Sequence, residues 1–152
     1  MTTGAVEGCF LCAGDGGVPI WRGEALRVVR VTEQPGLLAY YRVIWNAHRA
    51  EFTDLDAAQR NQCLQAVVLV EQVLRAELRP RKVNLAALGN VVPHLHWHVV
   101  ARFEDDSHFP DPVWGAPRRA SAPELVQRLA QALPALDKSL QVQLGAWASR
   151  LG

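Results

Sequence analysis

No apolar run in this 152-residue sequence approaches the roughly 20 residues needed to cross a bilayer, so no transmembrane segment is expected. Sixteen basic residues stand against 15 acidic ones, a formal charge of +1, which excludes the broad basic field of a nucleic-acid binder. Cysteine is scarce, three residues in all, and that odd number argues against the disulfide framework of a small secreted domain. The opening M-T-T-G-A-V-E lacks the basic and apolar regions of a secretory leader, so the expected location is cytoplasmic, with neither membrane nor nucleic acid as partner. No G-x-x-x-x-G-K occurs, so a Walker loop with magnesium is not available for phosphate chemistry. What is present is a chain 49% hydrophobic, long enough for one domain with a substantial core.

Three of the five histidines fall at alternate positions in V-V-P-H-L-H-W-H-V-V-A-R, Val91 to Arg102. Alternate residues of a strand share a face, so His94, His96 and His98 are expected on one side, facing a cleft. Leu95, Trp97 and Val99 then form the buried side. At about 3.3 Å per residue the α-carbons of His94 and His98 lie about 13 Å apart, too far for all three imidazoles to converge on one metal ion. A neutral imidazole is, however, a competent nucleophile or base near neutral pH.

H-L-H-W-H-V-V resembles the His-x-His-x-His-x-x signature of the histidine triad family, apolar tail included, and the resemblance runs from about Cys9 to about Trp114. It implies an α+β fold: an antiparallel sheet of about five strands with one long helix and C-terminal helices, usually assembled as a homodimer. It also implies hydrolysis or transfer of nucleotidyl groups. His96, the middle histidine, would attack the α-phosphorus of a purine-type nucleotide. His98 would donate a hydrogen bond to phosphate or leaving group. The carbonyl of His94 would accept from Nδ1 of His96 and leave Nε2 free. Asn84 resembles the family asparagine that contacts the α-phosphate, and Asn90, after Gly89, stands where relatives carry a polar residue. Trp114 and His108 are placed on the leaving-group side, and Thr32, Glu33, Tyr40 and Tyr41 near the base and ribose pocket. Val91 departs from the pattern, occupying a position where many relatives carry a hydroxyl. Dinucleoside polyphosphates are an alternative substrate class, and a non-catalytic nucleotide-binding regulator an alternative role.

Cys9 and Cys12 form C-F-L-C ahead of a glycine-rich segment, Gly14 to Gly17. Such a pair can be redox-active or can supply half a zinc site, with His48 as a third ligand. One branch of the family binds zinc with an N-terminal Cys-x-x-Cys, a mid-chain histidine and the first triad histidine, which gives Cys9, Cys12, His48 and His94. Zinc there would be structural, and no catalytic metal is expected. A zinc-stabilised interaction module would account for that cluster while leaving His98 idle.

Elsewhere the pattern predicts strands over Ala25 to Val31 and Leu37 to Trp45, joined by a turn at Glu33 to Gly36. A long helix is expected from Thr53, capped with Asp56, to the stop at Pro80, with Leu64, Val67, Val68, Leu74 and Leu78 on its apolar spacing and Cys63 buried. Ser121 with Glu124 predicts the cap of a helix to about Leu133. Past Pro134, the residues Leu140, Leu144, Trp147 and Leu151 keep helical spacing, making 116–152 a helical extension of the single domain.

Overall fold

The computed structural model describes residues 4–152, so the first three residues of the N-terminal stretch considered above lie outside it. The strands are Val18–Arg22 (β1), Leu26–Arg30 (β2), Tyr40–Trp45 (β3), Lys82–Ala86 (β4) and His96–Arg102 (β5), and the helices Phe10–Ala13 (α1), Ala57–Leu78 (α2) and Pro123–Ser149 (α3). All strands pair antiparallel in one sheet ordered β1-β2-β3-β5-β4, the α+β arrangement expected. The β2–β3 hairpin closes through the expected turn. Gly36 takes φ +82 there, a backbone region that favours glycine. β1 is absent from the sequence reading because Pro19 argues against a strand. It survives as the sheet's edge, where a missing N–H costs nothing.

Register decides which residues face the cleft. Tyr41 pairs with Val99 and Val43 with Trp97, on the face that joins the apolar side of α2 and α3 in one core. Arg42 pairs with His98 and Ile44 with His96 on the opposite face.

The helix starts differ from the sequence expectation. Asp56, not Thr53, caps α2: its carboxylate accepts from the backbone N–H of Gln59, whose side-chain oxygen accepts from the N–H of Asp56. Asp is the stronger cap, and this reciprocal pair outcompetes Thr53, which lies in a single 3-10 turn, Phe52–Asp54. Leu64 and Val68 are exposed, because the buried stripe runs instead through Cys63, Ala66, Val67, Val70, Val73 and Leu74. The helix ends ahead of Pro80 with Arg79 in a left-handed conformation.

The C-terminal segment is one helix rather than two. Pro134 sits inside α3 without interrupting it, giving up one backbone hydrogen bond. Leu125, Leu129, Leu136, Leu140, Leu144 and Trp147 line its buried side, and Leu151 falls beyond the helix and is exposed. Ser121 is not its cap, because its hydroxyl accepts from the N–H of Ser107 at 2.9 Å and donates to the carbonyl of Gly36 at 3.0 Å. Asp137 anchors α3 to the sheet, accepting from the Tyr41 hydroxyl at 2.8 Å and from Nε of Arg30 at 3.0 Å. At the far end Trp147 meets Trp21 of β1 edge-on, with ring centroids 6.1 Å apart. Leu140→Ala is expected to cost about 2–5 kcal/mol in urea unfolding. Val142→Ala, on the exposed side of the same helix, should stay within about 0.5 kcal/mol of the parent.

Candidate functional site

Two polar layers sit on the sheet face opposite the helices, and the β5 histidines belong to the first. His96 and His98 are strand residues whose rings meet edge to face, with centroids 4.8 Å apart. His94 precedes the strand; it lines one small cavity with His96 and turns its ring to the cysteines. The backbone carbonyl of His94 accepts from Nδ1 of His96 at 2.5 Å. With Nδ1 carrying hydrogen, Nε2 of His96 keeps its lone pair. His96 borders a small cavity of about 110 Å³ shared with Phe52, Ala87 and Gly89.

His98 is enclosed more tightly than the sequence suggested, with 5% of its surface exposed. Tyr40 approaches from β3, its hydroxyl 2.7 Å from Nδ1. Trp114, itself 43% exposed, meets the imidazole edge-on at 4.9 Å. Burial pushes the imidazole down to about 3, with His96 and Arg42 adding to the effect, so His98 is neutral at physiological pH. Burial also lowers His96 and His94, opposed in each case by the backbone carbonyl that holds the ring.

Asn84 of β4 lies on this face, diagonal to His98, since Ala86 pairs with His98 and Asn84 with Val100. Nη1 of Arg102 donates to the side-chain oxygen of Asn84 at 2.7 Å, which leaves the NH₂ end of the amide as the group on offer. Arg102 is itself buried against Asp106, at 2.9 and 3.1 Å, and donates to the carbonyl of Asp111 at 2.8 Å. Asp106 further accepts from the N–H groups of Phe103, His108 and Phe109, and so fixes the start of the loop that carries Trp114. A cleft of about 440 Å³ opens between Lys82, Asn84, Pro112 and Trp114.

The second layer lies past the N-terminal end of β5. Sγ of Cys9 is 3.4 Å from Nδ1 of His94, and Sγ of Cys12 is 3.5 Å from Nδ1 of both His94 and His48. The four ligand-type atoms all lie within 4.8 Å of one another, a set that could hold a metal ion. Nε2 of His94 donates to the carbonyl of Trp45 at 2.7 Å, so its Nδ1 presents a lone pair to the sulfurs. Arg27, 3% exposed, holds the segment between the cysteines and the sheet, donating to the carbonyls of Leu11, Gly14 and Asp15.

Other predicted site residues lie apart. Asn90 is exposed in the loop after Gly89 and makes no hydrogen bond to the triad among the described residues. Tyr41 faces the helices and serves as the anchor for Asp137. His108 is buried beside the hydroxyl of Ser107, 2.8 Å from its Nδ1, and lines a cleft with Trp114 on the side away from Lys82. Thr32 and Glu33 are exposed, Glu33 lying 3.5 Å from Arg42. Arg42 escaped the sequence reading, although alternation along Tyr40–Trp45 puts Tyr40, Arg42 and Ile44 on one face and would have found it. It donates to the carbonyl of Gly16 at 2.8 Å, and its buried Nε has no hydrogen-bond partner among the described residues.

The family model described as HIT domain matches residues 23–105. A histidine triad protein from Bradyrhizobium japonicum is 25% identical, with 83% of this chain and 92% of that one covered and a TM-score of 0.68. One from Marinobacter aquaeolei is 22% identical over 93% and 99% of the two chains, with a TM-score of 0.70. A zinc-bound histidine triad family protein from Mycobacterium smegmatis is 21% identical over 91% and 96%, with a TM-score of 0.59. No curated protein matches the chain.

The unfolded chain takes up the His98 proton near 6.5 and the folded chain only near 3, so between those values the folded state binds fewer protons. Its contribution to stability is therefore complete above about 6.5 and is lost as the pH falls toward 3. The Cε1 proton resonance of His98 should stay flat from pH 8 to about pH 5, and a midpoint near 6.5 would contradict this burial.

Proposed function

The chain belongs to the histidine triad family, whose domain model spans more than half of its residues, and from that membership we propose a nucleotidyl hydrolase or transferase working through a covalent nucleotidyl-histidine. The observation that carries this reading is the hydrogen bond from Nδ1 of His96 to the carbonyl of His94, which leaves Nε2 as the one free lone pair of a neutral ring. That nitrogen attacks the α-phosphorus of a nucleoside phosphoramidate or related nucleotide. The bond to the leaving group breaks as the phosphorus–nitrogen bond forms, and water then attacks the same phosphorus and frees His96. His98 offers a hydrogen bond to the departing atom, and the amide NH₂ of Asn84 to a phosphate oxygen. Arg42, across the strand pair from His98, adds positive charge on the same face. The chemistry needs neither a Walker loop nor magnesium.

Zinc fits the second layer. Four ligands at about 2.0–2.3 Å around one tetrahedral ion stand about 3.3–3.8 Å apart, which matches the 3.4 Å of Cys9 to His94 and the 3.5 Å of Cys12 to His94 and to His48, within a set whose atoms all lie inside 4.8 Å. Bound there, zinc would tie the N-terminal turn to the sheet. The conformation of His94, whose carbonyl orients His96, would be fixed from both sides. The thiols suit a reducing cytoplasm. β4 is an edge strand with Leu85 and Leu88 exposed beside it, which supports a homodimer built on that edge. The 440 Å³ cleft at Trp114 also has room for a large leaving group, which keeps dinucleoside polyphosphates as a second substrate class.

Incubation with adenosine phosphoramidate and mass spectrometry of the quenched protein should reveal a nucleotidyl adduct. His96→Asn should eliminate it and lower kcat/KM by at least about 10³-fold with the fold intact, and an adduct on the variant would refute the assignment. Cys12→Ser should lower the zinc content of freshly purified protein and its Tm, whereas His96→Asn should leave both unchanged. Protein with all four ligands intact and no zinc would overturn the metal assignment.

A further inference from the structure

The Tyr40 hydroxyl and Nδ1 of His98, 2.7 Å apart, share a single hydrogen, and two arrangements are open to them. In one, the phenol donates and His98 carries its own hydrogen on Nε2. In the other, Nδ1 donates and the phenolic hydrogen needs an acceptor elsewhere. Tyr40 is 1% exposed, so water does not supply that acceptor, and among the described residues the hydroxyl has no hydrogen-bond partner except His98. Of the other polar side chains near it, Trp114 and Arg42 are donors only, and the Glu33 carboxylate faces Arg42 at 3.5 Å and makes no hydrogen bond to the phenol. The second arrangement would therefore strand a buried hydroxyl hydrogen among donors, whereas the first satisfies every group.

We propose that Tyr40 is a positioning residue: by donating to Nδ1 it holds His98 in the tautomer that presents Nε2–H to the leaving group of the nucleotidyl transfer. The step rests on the nucleotidyl-transfer reading and adds no proton transfer of its own. The P–N bond of the substrate, its nitrogen protonated from solvent, breaks as the bond to Nε2 of His96 forms; the amine leaves neutral, and the Nε2–H of His98 hydrogen-bonds the electron pair that collects on the departing nitrogen. His98 stays neutral throughout. It thus helps poor leaving groups and matters little for those that already leave as stable anions. Trp114, packed against the same imidazole, also lines the cleft that it shares with Asn84.

Long-range proton–nitrogen spectra of the unliganded full chain test the tautomer without any reaction. The expected result is a protonated Nε2 and a bare Nδ1 at His98, with Nδ1–H appearing in Tyr40→Phe. In single-turnover nucleotidylation, Tyr40→Phe should slow adenosine phosphoramidate by at least about 10-fold and leave the p-nitrophenyl ester of AMP within about 2-fold. Nδ1–H at His98 in the parent protein would overturn the proposal, as would equal slowing of both substrates with an unchanged tautomer. If Tyr40→Phe does not fold, the parent spectrum alone decides. A chain that forms no adduct with either substrate sinks the nucleotidyl-transfer reading, and the His98 tautomer still judges Tyr40 separately.

Discussion

The antiparallel register between β3 and β5 is the constraint on which the rest depends. Side chains alternate between faces, so a slip of one residue would exchange the two sets completely. Tyr40, Arg42 and Ile44 would turn into the helix-covered core, and Tyr41 and Val43 would turn out toward the histidines. Such a slip would turn the Arg42 guanidinium into the apolar face and strip Asp137 of its Tyr41 donor, and each of those changes is costly. One apolar face therefore enforces the polar geometry of the other.

Much of this was legible from residue order. Alternation in the H-L-H-W-H run gave the face shared by His96 and His98, and the resemblance to the zinc-binding branch of the family gave the four-residue cluster. His94 turns its ring to the cysteines, 82 and 85 residues earlier, at the end of the strand. What escaped depends on contacts between distant segments. Thr53 and Ser121 each satisfy a capping pattern, but a better cap three residues on displaced the first, and the carbonyl of Gly36, 85 residues away, claimed the second. Tyr40 and Tyr41 are neighbours of equal character in sequence, and only register separates a site residue from a helix anchor.

Two buried arginines order segments that carry little regular structure. Arg27 gathers the carbonyl of Leu11, two carbonyls of the glycine-rich stretch and an oxygen of Asn46. Arg102, paired with Asp106, reaches both Asn84 and the loop toward Trp114. Neither is conspicuous in a chain with so many basic residues. Each directs donors to backbone and amide oxygens of neighbouring loops, so the loops around the histidines inherit the rigidity of the sheet that holds the arginine stems. For Asn84 the consequence is chemical as well, since an amide that could have turned either end outward is left with one.

The helix that ends the chain closes against the strand that nearly begins it, Trp147 upon Trp21. During synthesis the nascent sheet therefore lacks part of its cover until α3 has left the ribosome, and Tyr41 waits for the Asp137 acceptor that α3 carries. Closure joins the most distant parts of the sequence, the slowest kind of contact to form. A message truncated upstream of Pro123 would yield a chain with its triad strand intact and its apolar side only partly covered, a substrate for chaperones and proteases rather than a smaller folded protein.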